Sequence, residues 1–183
     1  MAAGNMLSIV REAVPEDALL KTYRGGVHLE RWGRYGDCFS VAVDRAASLA
    51  DFVFAFYTSP LFRIERLMLR VLVRAASSDS DARRLADGKA AGFAAWYVGE
   101  RTATQLLMCD RCERTRSWFR VVPLDGGRTL LQFGSAVAAV RDPHTGAAAL
   151  GGGFHLLLGF HVVYSQALLH AAKVGVMKMR PAA

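Results

Sequence analysis

The residue types that could do chemistry fall in a few places along the chain. Cys109-Asp110-Arg111-Cys112 is a C-x-x-C at what reads as a hairpin tip. Two thiolates at that spacing can share a zinc ion, but a closed structural site needs four ligands. The remaining cysteine, Cys38, offers no second pair. A redox-active C-x-x-C draws on a helix N-terminus to lower a thiol pKa, whereas the residues flanking this one read as strands. The pair is taken as ordinary thiols, with no metal and no cofactor called for.

Thr115–Val122 alternates two sets of side chains, as a strand does. Arg116, Trp118 and Arg120 share one face, and Ser117, Phe119 and Val121 share the other. The apolar set is the natural core face, which makes the first set an exposed ladder suited to cation–π contact or a partner surface. The opposite assignment puts Arg116 inside a cavity, where a guanidinium must find an anion: Asp37, or a ligand carboxylate or phosphate. Both assignments stay open from the sequence.

Near the C-terminus His161 and Tyr164 are three residues apart, so one helix face carries both, with Leu168 following. Polar tips on an apolar face are the usual makeup of a ligand site. His170 falls on the opposite side. Phe93, Trp96, Tyr97, Phe119 and Phe133 either line a pocket between sheet and helix or fill the core. Arg63, Arg66, Arg70 and Arg74 form one narrow helical stripe, read as a solvated edge. The Gly151-Gly152-Gly153 run lacks the strand–loop–helix context and the lysine of a nucleotide site, and no G-x-S-x-G, H-E-x-x-H or P-loop is present.

The elements that must position these groups follow from composition and pattern. The chain has 183 residues, 52% of them hydrophobic and 21% charged, enough apolar surface for one folded domain and too much for a disordered chain. Net charge is +7, but its arginines are scattered, so nucleic acid is not expected and membrane contact is a minority reading. Ala147–Ala172 holds no Asp, Glu, Lys or Arg. Three histidines and a glycine run within it make it a buried helix rather than a membrane span. Few cysteines and no secretory leader pattern point to the cytoplasm.

Gly36–Val43 reads as a strand. Ser48-Leu49-Ala50-Asp51 is a capping box that opens a helix to about Thr58, and Ser59-Pro60 opens a second helix to about Ala75. Ser77–Asp87 contains a short helical turn. Phe93–Val98, Thr104–Asp110, Thr115–Pro123 and Arg128–Val140 then read as four strands whose short joints force antiparallel pairing, with Gly134 a place for a bulge or split. A final helix spans Phe154–Val176. This is an α+β order: a curved antiparallel sheet wrapped around a long C-terminal helix, with two shorter helices after the first strand. Residues 1–34 are an N-terminal extension and 35–183 a single domain.

From about Asp37 to Val176 this order resembles the helix-grip superfamily, the START and polyketide-cyclase-like (SRPBCC) proteins. Tyr35-Gly36-Asp37 and Arg114-Thr115-Arg116-Ser117-Trp118 look like segments of a bacterial family of this type, which has no established catalytic set to transfer. Five strands are counted here where six or seven are usual, so either Arg128–Val140 is two strands or residues 27–34 supply one. The resemblance implies a small hydrophobic or amphipathic ligand held between sheet and helix, with Trp96, Arg116, Trp118, Phe133, His161 and Tyr164 as ligand-binding candidates. Its alternatives are an enzyme of cyclase or hydratase type, with Tyr164 and His161 moving protons, and a basic membrane-surface attachment protein. A homodimer is compatible with all three.

Overall fold

The computed structural model describes residues 9–25, 36–72, 76–137, 140–141, 148–149 and 154–180. Its elements are β1 (Val10–Glu12), α1 (Leu19–Thr22), β2 (Gly36–Val43), α2 (Leu49–Tyr57), α3 (Pro60–Leu72), α4 (Asp79–Ala86), β3 (Gly92–Phe93), β4 (Trp96–Arg101), β5 (Gln105–Asp110), β6 (Thr115–Leu124), β7 (Arg128–Val137), β8 (Val140–Arg141), β9 (Ala148–Ala149) and α5 (Phe154–Lys178). Seven strands form one curved antiparallel sheet in the order β1-β2-β7-β6-β5-β4-β3, and β8 and β9 pair separately. The α+β class with a C-terminal helix on the sheet is what the sequence pattern implies.

The main sheet has seven strands rather than the expected five, the difference arising in two places; the expected Arg128–Val140 strand ends at Val137, Val140 belonging to β8, and residues 27–34 lie outside the described residues. Val10–Glu12 adds an edge strand, Val10 opposite Ser40 and Glu12 opposite Cys38. Phe93–Val98 is two strands, turned at Ala94-Ala95, where Ala94 takes a left-handed φ of 50°. Gly134 does not split β7, which pairs without interruption from Gly36↔Ala136 to Val43↔Thr129. A Cβ there would lie 2.8 Å from the Asp37 carbonyl oxygen and 2.9 Å from the Trp118 ring. The glycine seats the indole rather than bending the strand.

The concave face carries the main core. Phe39 and Val41 of β2, Phe119 and Val121 of β6, and Leu131 and Phe133 of β7 all point into it, the period-2 set of each strand. Three helices cover that face between β2 and β3. The α2 helix starts at the expected capping box, with the Ser48 hydroxyl accepting from the Asp51 N–H and the Asp51 carboxylate accepting from Ser48. The α3 helix starts where the Ser59 hydroxyl accepts from the Phe62 N–H. A second capping box, Ser78 with Asp81, opens α4.

The α5 helix lies against α2, β2 and β7, burying Leu168, Leu169, Ala172 and Val176. Gly175 allows this approach, since a Cβ there would meet the Ala55 Cβ at 2.9 Å. Arg45, from the loop after β2, donates to the Val176 carbonyl at 3.1 Å and to that of Met179, holding the C-terminal end of the helix to the sheet. Among the described residues no helix is long and apolar enough to cross a membrane.

The convex face is also covered, which the sequence reading did not anticipate. Residues 14–23 cross it, and Ala18 and Leu19 pack with Cys38, Leu107, Cys109 and Trp118 in a second, smaller core. Trp118 is fully buried and Arg116 nearly so, at 0% and 2% exposure. The expected exposed Arg-Trp-Arg ladder is therefore a covered one. The Arg63 and Arg66 guanidiniums both pair with the Asp79 carboxylate, so part of the arginine stripe is neutralised by the start of α4. Arg74 lies outside the described residues.

Candidate functional site

Between the concave face and the helices is a cavity of about 290 Å³. It sits at the end of the sheet where β6 begins and β7 ends, beside the N-terminal half of the described part of α5. Phe56 and Tyr57 of α2, Phe62 of α3, Trp96 of β4, Phe133 of β7 and Leu168 of α5 supply apolar wall. The β6–β7 register places Ser117 opposite Ser135 and Phe119 opposite Phe133, so the strands offer hydroxyls at the cavity and rings below it. Ser165 of α5 adds a third serine. Larger depressions of about 520 and 890 Å³ lie elsewhere on the surface, but they open broadly to solvent. The smaller, more enclosed and more apolar space is the better ligand site.

Its charged wall is Glu65 of α3. The Tyr164 hydroxyl donates to Glu65 Oε2 at 2.5 Å, tying α3 to α5 across the cavity. Burial pushes the Glu65 carboxyl above the usual carboxylate range, and the Tyr164 hydrogen bond opposes part of that rise. The Tyr164 phenol is raised as well, by burial and then by the neighbouring carboxylate. A half-buried acid on an apolar wall is an arrangement that can hold a proton or orient a polar ligand group.

A group with a raised folded-state pKa stabilises the fold fully below its ordinary value, and that stability is lost as pH rises through the raised one. Glu65→Gln, which does not titrate, is expected to melt a few degrees above the parent protein at pH 8 and together with it at pH 4. Melting curves of both proteins across that range check it. A difference that does not grow with pH contradicts the raised pKa of this half-buried acid.

Of the six ligand-binding candidates, Trp96, Arg116, Phe133 and Tyr164 border this one cavity. Arg116 does so along its strand only. Its guanidinium lies across the sheet, where Nη2 donates to the Gly25 carbonyl at 3.0 Å and the group stacks 4.9 Å from the Tyr23 ring. Trp118 points to the same convex side, its indole N–H bonded to Gln105 Oε1 at 2.7 Å. The side chain of His161 lies outside the described residues. Asp37 shares its register row with Ser135 and Ser117, one row from Arg116 and so facing the other way. It accepts from the Ser135 N–H at 3.1 Å and hydroxyl at 2.6 Å.

The pocket aromatics divide by strand pleat. Phe119 and Phe93 are core, while Tyr97 is on the convex side and donates to Glu113 at 2.5 Å. At the β5–β6 turn Cys109 is buried and Cys112 exposed, both as free thiols. Burial raises the Cys109 thiol above its ordinary value, which opposes thiolate formation.

Glu65 was missed in the sequence although a signal existed. It is the single acid in Pro60–Leu72 and follows the buried Phe62 by three residues, which puts it on the inward side of the helix. An acid on an apolar helical face needs a reason, and the cavity provides one. Comparison of the chain with family models, with curated proteins and with solved structures finds no match.

Proposed function

We propose that the protein binds a small, largely apolar molecule carrying one polar group, in the cavity between sheet and helices. One observation carries the reading: a partly enclosed space of about 290 Å³, with aromatic rings as its apolar wall and polar groups at Glu65, Tyr164 and the serines. That volume lies at the low end of ligand pockets, roughly 300–1,000 Å³, and suits a molecule of one or two rings. The helix-grip resemblance supports the same reading, because a sheet closing on a C-terminal helix leaves its space at this place. The half-buried Glu65–Tyr164 pair favours, as a second reading, proton transfer on a bound substrate. Free thiols at Cys38, Cys109 and Cys112 suit a cytoplasmic setting.

Ser117 points into the cavity from β6 and is the position at which to fill it. Ser117→Phe is expected to fold, with a melting temperature within a few degrees of the parent, and to lose uptake of indole and phenethyl alcohol. Native mass spectrometry and ligand-induced melting shifts read this directly. Equal uptake by parent and variant would place binding elsewhere and end the proposal.

A further inference from the structure

We infer that the ligand's polar group is an organic ammonium, directed at Glu65 Oε1 and surrounded by the aromatic wall. This deepens the cavity reading and rests on it. The basis is which charges the fold turns into the cavity and which it turns away.

Glu65 faces the space from α3, with Oε2 held by the Tyr164 hydroxyl. Among the described residues Oε1 accepts no hydrogen bond, so one oxygen of this cavity-lining carboxylate is available to a ligand. Among the described residues, the arginines beside it on α3 and at the cavity border are engaged elsewhere. Arg66, its neighbour on α3, reaches Asp79 Oδ1 at 2.6 Å and the Ser77 carbonyl at 2.7 Å, over the Phe93 ring. Arg63 pairs with the same aspartate. Arg116, which borders the cavity, has its guanidinium on the far side of the sheet against Tyr23 and Gly25. An acidic ligand would therefore meet a carboxylate where it needs a cation, and like charges in a low-dielectric space repel strongly.

The rings supply the second half of the recognition. Trp96 and Phe62 lie 6.1 Å apart, Phe56 and Phe62 5.7 Å, and Phe56 and Phe133 4.8 Å, all on the cavity wall. Aromatic faces around a desolvated site attract an ammonium through their quadrupoles, and a carboxylate adds a charge-assisted hydrogen bond. The overall charge of +7 slows the approach of a cation from afar. At physiological salt that field is screened within about 8 Å, so the local groups decide what stays bound.

The test uses three probes of one shape on the full chain: phenethylamine, phenethyl alcohol and hydrocinnamate, titrated by calorimetry at pH 8. Phenethylamine is expected to bind at least tenfold more tightly than the alcohol, and hydrocinnamate more weakly than either. In Glu65→Gln the amine should fall to the level of the alcohol. Binding of the alcohol or of hydrocinnamate as tight as that of the amine overturns the ammonium assignment and leaves the cavity reading standing. So does an amine preference that survives Glu65→Gln. Failure of all three probes to bind overturns the cavity reading, and this inference with it.

Discussion

Phe119→Ala is expected to lower the free energy of unfolding by about 3–5 kcal/mol, the range for removing a buried phenylalanine. The ring is fully buried at the centre of the concave face. It meets Phe56 edge-on at 4.8 Å, Phe133 at 5.3 Å, Phe52 at 5.5 Å and Tyr57 at 5.7 Å. Its loss removes both transfer free energy and these ring contacts, edge-to-face with Phe52 and Phe56, and the surrounding rings, each pinned by others, collapse only partly. Phe56, Tyr57 and Phe133 also wall the ligand cavity, so the void opens beside it. A dry apolar void binds small apolar molecules, and a ligand that binds only the folded state stabilises by mass action. Benzene should therefore stabilise Phe119→Ala more than the parent, which offers it only the ligand cavity and not the added void. Urea unfolding with and without benzene measures both effects. A loss below about 1 kcal/mol would mean that the aromatic cluster is not the packed centre of the fold.

The concave face was legible because β6 sorts its side chains by spacing and the helices over it carry recognisable caps. Ser117, Phe119 and Val121 announce an inward face by spacing alone, and Phe133 follows once β6 and β7 are paired. The convex face was not legible for a physical reason. Alternation tells which residues share a face but not whether that face meets water, and Arg-Trp-Arg reads as exposed unless a cover is known. The cover is residues 14–23, where α1 is a single four-residue turn with one buried side chain, Leu19. Its hold on the sheet comes from contacts some ninety residues apart in sequence, which no local pattern encodes. The split between β3 and β4 was hidden in the same way. Its turn is Ala94-Ala95, without the glycine, proline or asparagine that would mark it. In the cavity, residue types pointed to Trp96, Phe133 and Tyr164, while the inward turn of Glu65 was available from helical spacing and went unused.

Gln105→Ala is expected to destabilise by about 2–5 kcal/mol, far more than an ordinary amide truncation, because one side chain anchors the cover of the convex face. Gln105 Oε1 accepts two hydrogen bonds, from the Leu19 N–H at 3.0 Å and from the Trp118 indole N–H at 2.7 Å. Its Nε2 donates to the Asp17 carbonyl at 3.3 Å. Alanine leaves both N–H donors buried without an acceptor, and each such donor costs roughly 1–3 kcal/mol. The nearby Asp17–Arg120 ion pair, bidentate at 2.9 Å, ties down the same segment. Asp17 is 64% exposed there, so Asp17→Ala should cost about 1 kcal/mol or less. The two variants thus separate a buried anchor from a surface one on the same strap. Gln105→Ala should also speed proteolysis within residues 14–23, since the segment loses its central tether. Ligand uptake by the fraction still folded should change little, because Glu65 and Tyr164 lie on the opposite side of the sheet. Equal losses in Gln105→Ala and Asp17→Ala would show that the strap is held by surface charge and that the buried amide contributes no more than its own packing.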